Sequence, residues 1–127
     1  MNIDSYINKQ KFKMTKEEEK LLNYLKLLAD KSRYKIILHL MKGEECVCVL
    51  ADKLGLEQTL ASHHLQILRE AGLIQDRKAG TWVHCSLNKK TFEKMERLYQ
   101  KLLTSNNISD KPCTSHEICR KLFEGKL

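Results

Sequence analysis

The spacing of two short helical patterns around one glycine constrains the fold more than any other feature of this sequence. Apolar residues recur at helical intervals from Val47 to Leu54 and again from Gln58 to Ala71, and Gly55 lies in the short turn between them. So short a connection makes the two helices pack against each other at a steep angle, as in a helix-turn-helix. The residues predicted to face inward are Val47, Leu50, Ala51, Leu54, Ala61, Leu65 and Leu68, with Leu60 or His64 beside them.

A pair of short strand-like segments follows the second helix. Ile74 to Lys78 and Trp82 to Leu87 enclose Ala79-Gly80, and this pattern predicts a β-hairpin. A helix-turn-helix followed by a hairpin is typical of the winged helix-turn-helix, in which the hairpin is the wing. The predicted fold class is therefore mostly α-helical with a small β-hairpin.

Four further helical patterns flank this unit, and each begins after a residue that favours a helix N-terminus. They are Lys16 to Leu28 after a Thr15–Glu18 capping box, Lys31 to Met41 after Asp30 or Ser32, about sixteen residues after Asn88, and a short helix after Ser115. The predicted organisation is an N-terminal arm over residues 1–14, a folded domain over 15–104 and a cysteine-containing tail over 105–127.

Charge and composition narrow the function. The chain has 127 residues, enough for one domain, and its 23 lysines and arginines against 16 aspartates and glutamates give a net charge of +7. This excess favours an anionic partner, with nucleic acid ahead of a membrane. Aromatic residues are only 6% of the chain, which argues against base stacking as the main binding mode. Because no apolar stretch could span a bilayer and no secretory leader is visible, we expect a cytoplasmic protein.

The second helix of the pair has one face of polar side chains, which reading base edges in a DNA groove requires. The hairpin adds two basic residues beside its turn, where they would meet phosphate or the minor groove. The residues predicted to bind double-stranded DNA are Gln58, Thr59, Ser62, His63, Gln66, Arg69, Arg77 and Lys78. His63 and His64 point about 100° apart on a helix, so we expect one to be packed and the other exposed.

The stretch from residue 44 to residue 87, with a short segment before it, carries a set of recognisable motifs. They are Leu28-Ala29-Asp30, Cys46-Val47-Cys48, Leu50-Ala51, Ser62-His63-His64-Leu65, Leu68 to Ile74 and Gly80-Thr81-Trp82-Val83. With these motifs the stretch resembles the ArsR/SmtB family of metal-responsive bacterial repressors. The resemblance implies a homodimer of winged-helix subunits that represses transcription until a metal ion binds. Lys31, Val49 and Glu57 depart from the Pro, Asp and Ser that the family often has.

A dimer of this kind would bind an inverted repeat in its operator. We assign its interface to apolar residues of the first helix and of the helix after the hairpin, namely Leu21, Leu25, Leu28, Met95, Leu98 and Leu102. No enzymatic activity is expected, because the chain has no Cys-x-x-Cys motif and no glycine-rich phosphate loop after a strand.

The five cysteines indicate free thiols or metal ligands rather than a disulfide framework. Cys46 and Cys48 would point about 200° apart on a regular helix, so one ion is expected to bind both only if the helix start is distorted. A helix N-terminus at this place would favour the thiolate form.

The other three cysteines divide into one strand residue and two tail residues. Cys85 is interpreted as a small buried residue, because it alternates with apolar residues along a strand. Cys113 and Cys119 lie in a tail that can reach the first pair, so the predicted metal ligands are Cys46, Cys48, Cys113 and Cys119. The family's other metal site needs histidine on the helix after the hairpin, and that helix has none.

The number of thiolates determines which ion is expected. Three select As(III) or Sb(III), and four select Cd(II), Pb(II) or Zn(II). The predicted function is a repressor of a metal(loid) resistance operon that leaves its operator when such an ion binds. One alternative is a repressor that senses oxidants or reactive sulfur through a link between Cys46 or Cys48 and Cys113 or Cys119. Another is a structural zinc protein.

Overall fold

The computed structural model describes residues 11–125, so residues 1–10 of the predicted arm and 126–127 of the tail lie outside it. Its helices are α1 (Lys16–Leu28), α2 (Lys31–Leu40), α3 (Val47–Leu54), α4 (Gln58–Glu70), α5 (Lys89–Leu102) and α6 (His116–Phe123). Its strands are β1 (Glu45–Cys46), β2 (Ile74–Ala79) and β3 (Trp82–Leu87), and a 3-10 turn covers Ser105–Asn107. Within this range no helix has both the length and the apolar character needed to cross a membrane.

Side-chain caps fix the starts of three helices, as predicted. The Thr15 hydroxyl accepts from the Glu18 amide at 3.1 Å while the Glu18 carboxylate accepts from the Thr15 amide at 2.7 Å, which completes the capping box. Asp30 and Asn88 cap α2 and α5 by accepting from backbone amides three residues later. The prediction for Ser115 is only half right, because this residue occupies the N-cap of α6 but its side chain makes no cap bond.

The predicted helix ends differ from the observed ones by one or two residues. Helices α2 and α4 end one residue early, since Met41 and Ala71 are C-cap residues. Helix α5 has 14 residues and ends at Leu102. Strand β2 extends to Ala79, which pairs with Trp82, so the hairpin turn is Gly80-Thr81 and not Ala79-Gly80.

The sheet has three antiparallel strands in the order β1-β3-β2, where the sequence predicted only a two-stranded hairpin. The additional strand is β1, in which Glu45 pairs with Cys85 and Cys46 pairs with His84. A strand of two residues has no periodicity to detect, so the pattern gave no sign of it. Because of β1, the segment immediately before α3 belongs to the same sheet as the hairpin, and we call this three-stranded sheet the wing sheet.

The core lies between α2, α3, α4 and the sheet. Its fully buried members are Ile36, Leu50, Leu68, Leu73 and Cys85, and the last confirms that this cysteine is a small buried residue. Helices α1 and α5 pack against each other beside this core. Leu21 and Leu98 are already buried within the single chain at 3% and 9% exposure, whereas Leu25 is 37% exposed.

Candidate nucleic-acid interface and thiol site

The outward face of α4 is a row of polar side chains. Gln58, Thr59, Ser62, His63 and Gln66 are all exposed, while the opposite side of the helix is buried. Helical periodicity produces this division, because the buried residues recur at intervals of three and four. Hydroxyl, amide and imidazole groups both donate and accept, so this row is suited to base edges and phosphates alike.

His64 is buried and connects α4 to the start of α2. His63 beside it is exposed, so the prediction that one of this pair is packed and the other exposed is confirmed. The buried His64 ring has its Nδ1 3.2 Å from a guanidinium nitrogen of Arg33 and its Nε2 3.8 Å from an oxygen of Asp30. A guanidinium can only donate, so Nδ1 accepts and the ring proton lies on Nε2, facing Asp30. Arg33 also donates to the Leu27 carbonyl at 2.6 Å. The orientation of α4 is therefore set by a hydrogen-bonded chain and by apolar contacts.

A second chain of polar contacts ties the end of α4 to the wing. The Arg69 Nε lies 2.9 Å from a carboxylate oxygen of Asp76 in β2. Arg69 also donates to Gln66, which in turn donates to Glu70, both at 2.9 Å. Two residues predicted to bind DNA, Gln66 and Arg69, thus make contacts within the chain, and Arg69 connects the end of α4 to the wing.

Two basic residues lie near the wing tip, and within residues 11–125 only Arg77 of the two makes an ion pair. Lys78 is exposed. Arg77 instead forms two hydrogen bonds to Glu44, at 3.0 and 2.6 Å, and this arginine lowers the pKa of the Glu44 carboxyl. No local pattern predicts this pair, since its members are 33 residues apart. Trp82, the first residue of β3, is 58% exposed beside the wing turn.

The thiols of Cys46 and Cys48 are in contact, with their Sγ atoms 2.7 Å apart. The expectation that the two side chains diverge by about 200° was wrong, because it assumed that both residues were helical. Cys46 has φ −68° and ψ 129°, so it is an extended N-cap residue in β1, and only Cys48 lies in α3. The strand-to-helix junction therefore brings two soft donors together without distortion of the helix.

The close contact raises the pKa of the Cys48 thiol. The largest cause is the hydrogen bond with Cys46, followed by partial burial and by the charge that Cys46 would carry. The expectation that the helix N-terminus would favour thiolate is not met at Cys48, because its neighbour outweighs a smaller opposite effect from the backbone amide. Two thiolates at this distance would repel each other, and a bound ion that replaced both protons would remove that repulsion.

Glu45 anchors the strand that carries Cys46. Its carboxylate accepts from His39 Nε2 at 3.0 Å, from Lys53 Nζ at 2.7 Å and from the Cys46 amide at 2.9 Å. These donors, with Lys53 first, lower the pKa of Glu45 to about 2. The carboxylate joins α2, β1 and α3 beside the thiol pair, a role that sequence reasoning missed because the three elements meet only in the fold.

The tail cysteines are not brought to this pair. Cys113 and Cys119 are exposed, and the Cys113 sulfur accepts a long hydrogen bond from the Ser115 amide at 3.5 Å. Over residues 11–125, no three side chains of the kinds that bind metals cluster together. The structure thus joins two of the four predicted ligands, and the assembly of all four remains a prediction.

Comparison with known proteins matches this chain to bacterial transcriptional regulators. A family model described as a bacterial regulatory protein of the arsR family matches residues 30–76. The chain is 47% identical over 68 residues to the arsenical resistance operon repressor of Escherichia coli, which covers 53% of this chain and 58% of that protein. It is 35% identical over 83 residues to the arsenic resistance transcriptional regulator ArsR2 of Pseudomonas putida, which covers 65% of this chain and 72% of that protein.

A solved structure is similar over a larger share of the chain. HlyU from Vibrio cholerae superposes with a TM-score of 0.58 at 30% sequence identity, over 72% of this chain and 100% of that chain. The predicted winged helix-turn-helix fold is confirmed by these matches. The aligned region spans less than two thirds of the Escherichia coli repressor, since it covers 58% of that protein.

Proposed function

Because this chain belongs to the arsR family of bacterial regulatory proteins, we propose that it is a DNA-binding repressor of a metal(loid) resistance operon. It leaves its operator when a thiophilic ion occupies the Cys46–Cys48 pair. The observation that carries the proposal is the 2.7 Å contact between the sulfurs of Cys46, in a strand of the wing sheet, and Cys48, in the first turn of α3. The relatives named above are transcriptional regulators, so the proposal includes no enzymatic activity.

DNA binding is assigned to the exposed row of α4 and to the wing. Helix α4 enters the major groove with Gln58, Thr59, Ser62 and His63 toward the bases. Lys78 contacts the phosphate backbone, and the net charge of +7 supplies a long-range attraction to DNA. Gln66 and Arg69 complete the surface at the end of α4 that the wing holds in place.

Arsenite is the effector that the geometry and the relatives support best. A trivalent arsenic centre binds three thiolates, of which Cys46 and Cys48 supply two. The third ligand is a tail thiol, Cys113 or Cys119, which folds onto the pair when the ion is present. Cd(II), Pb(II) or Zn(II) would require both tail thiols.

The energy of such a site is large enough for a switch. Release of nearly all the protein from DNA requires about 5.5 kcal/mol of preference for the DNA-free state. Thiolate metal sites can contribute about 10–16 kcal/mol in total, so a fraction of the binding energy is sufficient.

The DNA-binding unit is proposed to be a homodimer on an inverted repeat. Helices α1 and α5 retain an exposed apolar surface after packing on each other, formed by Leu22, Leu25, Tyr99 and Leu103. A groove of about 300 Å³ beside it is lined by α1, by α5 and by Phe12 and Met14 of the N-terminal segment. A second copy of the chain covers this surface in the proposal, with Leu28, Met95 and Leu102 at its margin and Leu21 and Leu98 supporting it from within.

Operator binding with and without ion tests the proposal. We expect arsenite, under full reduction, to weaken binding of the wild-type protein by at least about a hundredfold, and by about 10⁴-fold if release is nearly complete. The Cys46→Ser and Cys48→Ser variants should still bind DNA but respond less than about threefold. Val49→Ser is the matched control, since it alters an exposed neighbour and leaves both thiols in place. Unchanged release of the two cysteine variants by arsenite, and by cadmium in a parallel series, would place the sensing site elsewhere.

The same sulfur contact favours a second candidate, an oxidant-sensing repressor. A peroxide would take two electrons and two protons from Cys46 and Cys48, giving a disulfide and water. This pairing differs from the predicted link to a tail cysteine, because the two tail thiols do not contact the pair. Titration of the DNA-bound protein with arsenite without oxygen separates the candidates. A metal sensor leaves DNA while its thiols are kept reduced, and an oxidant sensor does not.

A further inference from the structure

Glu44 makes a contact that neither DNA binding nor ion binding requires. Its carboxylate accepts two hydrogen bonds from the Arg77 guanidinium, at 3.0 and 2.6 Å, and lies 3.9 Å from Nδ1 of His84. Parallel bonds of this kind are the strongest arrangement of an arginine with a carboxylate. The pair is open to solvent, with the arginine side chain 58% and the glutamate side chain 36% exposed, so another anion can reach the arginine.

The register of the sheet connects this pair to the thiols. Cys46 of β1 pairs with His84 of β3, and His84 pairs with Arg77 of β2. Directly opposed residues in antiparallel strands have their side chains on the same face, so Cys46, His84 and Arg77 form one row across the sheet. Neighbouring strands are about 4.8 Å apart, which places the ends of the row about 10 Å apart. Glu44 immediately precedes β1 and reaches back along this row to Arg77.

From this arrangement we infer that Glu44 is a positioning residue of the DNA interface, whose carboxylate competes with DNA phosphate for Arg77. The inference rests on the proposed function. In the ion-free protein Arg77 exchanges between Glu44 and the phosphate backbone. An ion on Cys46 and Cys48 fixes β1 against α3, holds Glu44 in place and favours the internal pair. The wing thereby loses a phosphate contact when the thiols are occupied.

A double-mutant cycle on operator affinity tests the competition without any effector. Glu44→Gln should tighten DNA binding by about threefold to fivefold, the range of a partly exposed ion pair. It should also make the slope of log affinity against log salt concentration steeper by about 0.9, the change expected for one additional phosphate contact. The same substitution made in Arg77→Gln protein should change the affinity by less than about 1.5-fold, since the arginine through which it acts is gone.

Glu57→Gln is the matched control for the loss of one negative charge. Glu57 is exposed at the N-cap of α4 and its side chain makes no cap bond. Its effect on DNA affinity should be equal with and without Arg77. Equal effects of Glu44→Gln in the two backgrounds would overturn the inference and leave the proposed function intact, whereas absence of operator binding by the wild type would overturn the function.

The link to the thiols has its own measurement. Arsenite and cadmium, added separately to reduced protein, should release the Glu44→Gln variant at least about threefold less effectively than the wild type. Release of both proteins to the same extent would contradict the link to the thiols. If the wild-type protein stays on DNA with either ion bound, both ion sensing and its link to Glu44 are overturned. The double-mutant cycle on operator affinity would still test whether Glu44 competes with phosphate for Arg77.

Discussion

The two carboxylates next to the thiol pair, Glu44 and Glu45, contact different groups, and their charge alone does not reveal this difference. From the sequence, Glu44 and Glu45 are two like charges that oppose thiolate formation at Cys46 and Cys48. In the fold Glu45 accepts from three donors on three elements, and Glu44 holds an arginine of the wing. Neighbours in the chain thus serve different parts of the molecule, because successive side chains of an extended segment point in opposite directions.

The Glu45 anchor predicts a pH dependence of stability. Its pKa falls from 4.5 to about 2 on folding, so the carboxylate stabilises the fold above pH 4.5, and this contribution is lost as the pH falls toward 2. Glu45→Gln should lower the free energy of unfolding near neutral pH by on the order of 1 kcal/mol. Urea denaturation across this range should show the difference shrinking with acid. Glu93→Gln, at an exposed site, serves as control, and a difference independent of pH would contradict the assignment.

At the scale of elements, the turn of the wing requires a left-handed backbone conformation at Gly80, and this requirement can be tested. Gly80 has φ 64° in the two-residue turn between β2 and β3, and a Cβ at this position would meet no atom within 4 Å. Any cost of substitution therefore comes from backbone conformation and not from a clash. Gly80→Ala should destabilise the protein by about 1 kcal/mol, and Gly80→Asn by clearly less, since asparagine adopts this conformation more readily. Chemical denaturation of both variants measures the difference, and equal costs would contradict the conformational explanation.

The elements that the sequence predicted well are those with a local signal. Thr15 with Glu18, Asp30 and Asn88 fixed three helix starts, and the alternation around Gly80 revealed the hairpin. Strand β1 was missed because two residues carry no period, and its backbone bonds go to a strand about forty residues away. The convergence of Cys46 and Cys48 was missed for the same reason, since it depends on Cys46 being extended. Long-range pairs such as Arg77 with Glu44 have no local pattern at all.

At the scale of the whole molecule, the exposed apolar surface of α1 and α5 predicts that two copies of the chain form a dimer. Leu25→Lys should convert the proposed dimer to monomer at micromolar concentration, because a charge would be buried at the interface. Operator affinity should fall at least about tenfold, since each subunit would then bind a half-site alone. Leu38→Lys is the matched control, as Leu38 is 48% exposed on α2. Sedimentation would contradict the proposal if both variants behaved as the wild type does.

The burial of Cys85 gives the folded chain a thiol that differs from its other four. Its side chain has no accessible surface, and burial raises its pKa to about 11, so at neutral pH it is neither reachable nor ionised. Alkylating reagents can modify it only when the sheet separates from the helices. Mass spectrometry after timed labelling would therefore report opening of the core at Cys85 and ligand occupancy at Cys46 and Cys48 from the same sample. One native chain supplies both signals without an attached dye.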